Sequence, residues 1–195
     1  MRIHRTVLAL AVAAGLVVPP AVMAQQAPKP ESRPAAGKEQ GKGGLAQSDR
    51  KFMMEAARGG MAEVELGKLA AEKGSSDAVK QFGQRLADDH SKAATELKQL
   101  AEQKGMTLPS NLDAKHKQLR DRLAKLSGAE FDRAYVSEMV KDHKKDVADF
   151  KREASAAKDG DLKNWAGKTL PTLEDHLKQA QQLQAQVKSA PRAAR

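Results

Sequence analysis

An all-α bundle of four long helices is the fold class this sequence predicts, and three observations predict it. The 195-residue chain is rich in Ala, Leu, Lys, Glu and Gln, the residues that cost least in a helix. Only 3% of it is aromatic, and the β-branched and aromatic residues that suit pleated surfaces are scarce. Its apolar residues recur at alternating three- and four-residue steps over four long stretches, the period of one helix face.

Residues 1–24 read as an export signal. Arg2, His4 and Arg5 form a positive start, Val7 to Val18 a short apolar run, and Val22-Met23-Ala24 a small-residue site for cleavage after Ala24. That run is too short to span a bilayer, which needs ~20 residues. No second apolar stretch follows, so the mature protein is expected to be periplasmic or secreted, without a transmembrane segment. Residues 25–47 carry Pro28, Pro30, Pro34 and several Gly and Lys. They cannot bury enough surface to offset their ordering entropy, so a disordered linker is expected. The ordered domain is expected over residues 48–188, with Ser48 as the N-cap before Asp49 and Phe52. Residues 189–195 form a flexible basic tail.

The first helix is expected from about Asp49 to Lys73, stopped by Gly74. Gly59-Gly60 fall in its middle at ~1 kcal/mol per Gly, which marks either a kink or a close backbone approach. The second helix starts at the Ser75-Ser76 caps with Asp77 in its first turn and stops at Gly105. Its seam is Val79, Phe82, Leu86, His90 or Asp89, Ala93, Leu97 and Leu100. A connection from Met106 to Leu126 follows, with a turn at Pro109-Ser110-Asn111 and a short helix from Asp113. The third long helix covers about Ala129 to Lys158, with Phe131, Tyr135, Met139, His143, Val147 and Phe150 on its seam. The fourth covers about Asp161 to Lys188, with Leu162, Ala166, Thr169, Leu173, His176, Ala180, Leu183 and Val187 on its seam. Pro171 lies inside it and removes a hydrogen bond, so a bend is expected one turn before His176. All six aromatics (Phe52, Phe82, Phe131, Tyr135, Phe150 and Trp165) fall within these helices and are expected in a shared core.

Loop lengths order the helices. The short links at Gly74-Ser75 and Asp159-Gly160 make antiparallel hairpins of helices one–two and three–four. The middle connection can run the ~40 Å length of a long helix. A crossover of that length, containing a short helix between helices two and three, defines a ferritin-like four-helix bundle rather than an up-down-up-down one.

Composition excludes several functions. The absence of cysteine rules out a disulfide scaffold, Cys-ligated zinc or iron–sulfur sites, a thiol nucleophile and a lipoprotein anchor. The chain carries 34 Lys+Arg against 25 Asp+Glu, and its isoelectric point is near 9.7. Those positive residues are interleaved with acids, as in Lys141-Asp142-His143-Lys144-Lys145-Asp146, and export removes the chain from the cytoplasm. Both facts argue against nucleic acid as a partner. The charge allows a weak attraction to anionic lipid or lipopolysaccharide, and the sequence names no protein partner. Neither a nucleophile elbow nor a Gly-rich phosphate loop is present, so no catalytic constellation is assigned.

The chemistry lies in a repeated dipeptide: Asp89-His90, Asp142-His143 and Asp175-His176. Each pair sits near the midpoint of a different long helix, and Glu63 and Glu65 stand near the midpoint of the first. Midpoints of equal helices share one layer of a bundle whichever way each chain runs, so three imidazoles and a carboxylate can converge in its core. His90, His143 and His176 with Glu63 or Glu65 are therefore candidate ligands for a divalent transition metal (zinc, iron, manganese or copper), with Asp89, Asp142 and Asp175 holding the rings from behind. The competing reading is a polar layer of satisfied histidines that fixes helix register. Residues three before each His are Ala87, Val140 and Leu173, so the Glu-x-x-His pattern of ferritin-type di-iron sites is missing. Met53, Met54, Met61 and Met139 could add soft ligands for copper, though filling core gaps is the commoner use of Met. His116, among Lys115, Lys117 and Arg120, is expected to be solvated.

These residues carry a resemblance. Phe52…Glu63-Val64-Glu65-Leu66-Gly67-Lys68-Leu69-Ala70, Val79-Lys80-Gln81-Phe82…Asp88-Asp89-His90-Ser91-Lys92 and Leu126-Ser127-Gly128-Ala129-Glu130-Phe131 resemble blocks of the domain-of-unknown-function 4142 family. So do Met139-Val140-Lys141-Asp142-His143 and Leu170-Pro171-Thr172-Leu173-Glu174-Asp175-His176-Leu177. The resemblance implies an exported bacterial protein with a ferritin-like helical bundle, often labelled an outer membrane protein. It brings no established activity. The expected function is a non-catalytic binding or stress-related module of the cell envelope with a central His/Glu metal site. The alternative is a metal-dependent oxidoreductase or metal-storage protein using the same cluster.

Overall fold

The computed structural model describes residues 44–189. The expected export signal, most of the expected linker and nearly all of the basic tail lie outside them. Five helices follow one another: α1 (Gln47–Lys73), α2 (Asp77–Gln103), α3 (Ala114–Ala124), α4 (Gly128–Ala156) and α5 (Gly160–Ser189). There is no strand among the described residues. None of these helices is long and apolar enough to cross a membrane. α1 pairs with α2 and α4 with α5, while α2 meets α5 and α3 lies on α1 and α4. This is the ferritin-like arrangement of two hairpins joined by a crossover that carries the short helix.

Each hairpin turn is held by a buried aspartate from the other hairpin. Asp132 of α4 accepts from Ser75 N at 2.8 Å, Ser75 Oγ at 2.7 Å and Ser76 N at 3.1 Å, closing the α1–α2 turn. Asp49 of α1 accepts from Lys158 N at 3.0 Å and Asp159 N at 2.8 Å, closing the α4–α5 turn. Both caps satisfy backbone donors that have no partner within their own helix. Ser48 is not the expected N-cap. Helix α1 already begins at Gln47 after Ala46, and Ser48 Oγ donates to Asp49 at 2.9 Å. Ser76 does cap α2, accepting from Val79 N, and Asp113 caps α3 through His116 N. Helix α5 continues unbroken through Pro171, whose ring is exposed.

All six aromatics are buried. They fall into two apolar clusters. One gathers Leu66, Phe82, Phe131, Tyr135, Met139 and Leu183, and the other Phe52, Met53, Leu97, Phe150, Trp165 and Leu173. Between these clusters in sequence, on all four long helices, lie the buried polar residues Glu63, His90, His143 and His176.

The close backbone approach is not at Gly59-Gly60. A Cβ built on either meets no atom within 4 Å. It lies at Gly67 and Gly83, where a Cβ on each would stand 2.6 Å from the other's carbonyl oxygen. Helices α1 and α2 cross there in direct backbone contact. Because space is open at the first pair, Gly59→Ala and Gly60→Ala are each expected to raise unfolding free energy by about 0.5–1 kcal/mol, through lower unfolded-state entropy. Equilibrium urea melts check this, and a loss at either position would contradict it.

Candidate metal centre

The layer is assembled by helical periodicity. His90 of α2, His143 of α4 and His176 of α5 each replace an apolar seam residue, so folding the seams inward carries the imidazoles with them. One nitrogen from each ring lies within 4.8 Å of the others. His143 and His176 are wholly buried, whereas His90 retains 7% exposure.

Hydrogen bonds at the far side of two rings decide where their lone pairs point. His143 Nδ1–H donates to the Met139 carbonyl at 3.0 Å, and His176 Nε2–H donates to Asp89 Oδ2 at 2.8 Å. With both protons so assigned, His143 Nε2 and His176 Nδ1 turn lone pairs toward each other across 3.4 Å. Two acceptors facing each other in a buried site repel unless a cation or proton lies between them. A tetrahedral ion with metal–nitrogen bonds of ~2.0–2.1 Å separates neighbouring nitrogens by about 3.3 Å. Backing each ligand imidazole with a carboxylate or backbone carbonyl is also how metal-bound histidines are held.

Glu63 supplies the carboxylate. Its Oε2 lies 3.0 Å from His90 Nε2 and its Oε1 3.2 Å from His143 Nδ1. Neither contact has hydrogen-bond alignment, so both oxygens and His90 Nε2 are buried without a partner. Burial, and then the nearby Asp146 and Asp142, hold the Glu63 carboxyl well above its usual range. Burial likewise lowers His90 and His176 and takes His143 down to about 4. The imidazoles are therefore neutral at pH 7, with lone pairs free to bind a cation.

The depressed His143 value carries a sign for stability. Below pH ~6.5 the unfolded chain protonates this imidazole while the folded one resists to about 4. Folding stability is therefore lost as the pH falls through that window. Between pH 7 and pH 4, the metal-free protein is expected to lose about 3 kcal/mol more than His143→Leu does. Urea melts in chelator at the two pH values measure the difference, and parallel losses would refute it.

Not every expected residue joins the cluster. Glu65 lies on the exposed face of α1, because two residues along a helix turn away by about 200 degrees. Asp175 is exposed and sits 3.8 Å from Arg85. Asp89 does back a ring, but that of His176 across the bundle rather than of its neighbour His90. Asp142 is half-buried, raised by burial and by Glu138, and lines a cavity instead of bracing His143. Met53 and Met139 are in the apolar clusters. His116 is not solvated: its side chain is 19% exposed and its Nδ1 lies 2.9 Å from Asp113.

The cavity, of about 330 Å³, opens beside Glu63 and His90. Its walls include Gly59 and Gly60 of α1 and Asp142 and Asp146 of α4. Asp146 is a functional candidate that the dipeptide pattern missed. Burial pushes it up to about 7. Its spacing from Asp142, four residues along one helix face, is the signal that could have found it.

The sequence profile of a family described as "Domain of unknown function (DUF4142)" matches residues 34–183. No curated protein matches the chain. Among solved structures, a DUF305 fragment from Deinococcus radiodurans is similar at 10% identity with a TM-score of 0.65, covering 74% of this chain and 99% of the fragment. Structures described as CopM in the Cu(I)-bound and Cu(II)-bound forms are similar at 16% identity, with TM-scores of 0.60 and 0.61. Each covers 71% of this chain and 96% of the other. At these identities the likeness is one of fold.

Proposed function

The chain belongs to the DUF4142 family, and from that premise we propose that it is an exported, non-catalytic metal-binding protein of the bacterial envelope. Its ligands are His90, His143 and His176 with Glu63, and its cargo is a divalent transition metal. One observation carries the reading: His143 Nε2 and His176 Nδ1 face each other at 3.4 Å, both protons being committed elsewhere. The partnerless carboxyl of Glu63, whose proton burial favours, would give that proton up to a bound cation and so offset part of the ion's desolvation. An imidazole–carboxylate set suits zinc and copper(II), and it lacks the sulfur ligands that favour copper(I). CopM, a protein of similar fold, is described with copper bound in both oxidation states, which supports a bundle of this kind as able to hold copper. Export rests on the signal-like residues 1–24.

Binding rather than turnover is favoured because two of the three imidazoles are wholly buried, whereas catalysis needs an open coordination position that substrate can reach. The cavity beside His90 is the observation that keeps an oxidoreductase or storage role as the second reading.

The test is metal content of the mature chain by mass spectrometry, followed by titration with zinc, copper and iron. One ion per chain is expected, bound more tightly than ~10 μM, the range of biologically retained sensor and carrier sites. Binding should disappear in the His90→Ala, His143→Ala, His176→Ala variant. Retention of the ion by that variant, or no binding by the wild type, would overturn the assignment.

A further inference from the structure

A buried metal centre needs a route for the ion, and the two solvent-facing sides of this cluster differ in whether their carboxylates are already paired. On the α2–α5 side, Asp89 holds His176 and is itself 3.4 Å from Arg85 Nε, whose guanidinium also approaches Asp175 at 3.8 Å. Arg85 thus occupies both carboxylates on this side, and neither is free to take up an arriving cation.

On the α1–α4 side six carboxylates line the cavity against Arg58, Lys115 and Lys145, and two of the acids are left without an ion-pair partner among the described residues. Gly59 and Gly60 lie four and three residues before Glu63, on the same face of α1. They cost helix stability, and no packing neighbour explains them, since a Cβ on either would stand in open space. Both line the cavity that reaches Glu63 and His90. Asp142 and Asp146 stand one turn apart on its α4 wall, and neither has a basic group within ion-pair distance among the described residues, whereas Asp149 is taken by Lys145 and Arg152. At the inner end, Glu63 carries two partnerless buried oxygens. Only His90 among the three imidazoles keeps any exposure.

We propose that ions reach the centre through this cavity, past the gap left by Gly59 and Gly60, drawn by Asp142 and Asp146, with His90 the last ligand to close. The route rests on the reading of the cluster as a metal centre. His143 and His176 are braced by Met139 O and Asp89 and receive the ion already oriented. His90 turns at the cavity wall to admit it.

The experiment follows binding of Cu(II) alone to the metal-free mature chain in stopped flow, read by quenching of the single tryptophan, Trp165, which lines the same cavity. Equilibrium affinity is measured separately by chelator competition. Gly60→Leu is expected to slow association and dissociation together by at least about tenfold, leaving affinity within about threefold, as a blocked route must. Gly60→Ala, too small to fill the gap, should associate at the wild-type rate and serves as the folding control. At pH 8, above the value of about 7 to which burial pushes this carboxyl, Asp146→Asn should slow association several-fold and weaken its dependence on salt. Wild-type rates in a folded Gly60→Leu that keeps its affinity would overturn the route while leaving the metal centre standing. Absence of Cu(II) binding by the wild type at equilibrium would instead overturn the metal centre, and the route with it.

Discussion

Loading the mature chain with zinc or copper(II) is expected to raise its unfolding free energy by about 4 kcal/mol when free ion stands a thousandfold above its dissociation constant. The ligands converge only in the folded bundle, because they come from four different helices, α1, α2, α4 and α5. Binding therefore adds to folding almost undiluted by affinity for the unfolded chain. The His176→Leu variant separates metal from packing. Its partner Asp89 is 36% exposed at the side chain and can turn to water, so the metal-free variant should stay within about 1 kcal/mol of wild type. The increment on adding metal should nevertheless vanish. Paired urea melts with metal and with chelator read both quantities. An undiminished increment in His176→Leu would remove His176 from the ligand set. A Glu63→Gln chain keeps the shape of the layer and loses the charge, so it should bind about 10–100-fold more weakly while remaining folded.

A second large effect is expected far from any ligand. Gly67→Val and Gly83→Val should each cost about 3 kcal/mol or more, because the added atoms meet backbone rather than a movable side chain. A Cβ on Gly67 would lie 2.6 Å from Gly83 O and 2.9 Å from Ala87 N. One on Gly83 would lie 2.6 Å from Gly67 O and 2.9 Å from Ala71 N. Relief requires α1 and α2 to part. Gly67 is one turn from Glu63, and α2 carries His90, so parting the pair also pulls the carboxylate from the imidazole it now meets at 3.0 Å. Urea melts should show the stability loss, and metal titration of the folded fraction should show weakened binding. Glycine-to-alanine exchange at Gly59 or Gly60 is expected to act with the opposite sign, so the four positions together test whether backbone proximity governs the outcome.

Periodicity explains how much was legible beforehand. The α5 seam names every buried residue of its helix but Trp165, and the α2 and α4 seams name somewhat over half of theirs, His143 and His176 included, because a helix face is a property of spacing alone. The midpoint argument likewise places the three histidines in one layer, since it depends only on helix lengths and loops. Ser48 misled because a good capping residue competes with tertiary contacts: Asp49 instead reaches across to cap the α4–α5 turn. Of the kink and the close approach that the glycine pair offered, the close approach failed for a related reason. A mid-helix glycine signals a cost, but whether the benefit is close packing or empty space depends on what lies opposite.

By itself, then, the sequence determined the all-α class, the two hairpins with their crossover, and the level at which three imidazoles meet, because local periods and loop lengths suffice for these. Tertiary structure alone decided which carboxylate joins them, choosing Glu63 over Glu65, and that Asp89 braces His176 rather than its own neighbour. It also decided that Gly67 and Gly83, not Gly59 and Gly60, carry the helix contact. Each of these depends on the rotation of one helix about its axis relative to another, and that angle is set by packing between residues distant in sequence.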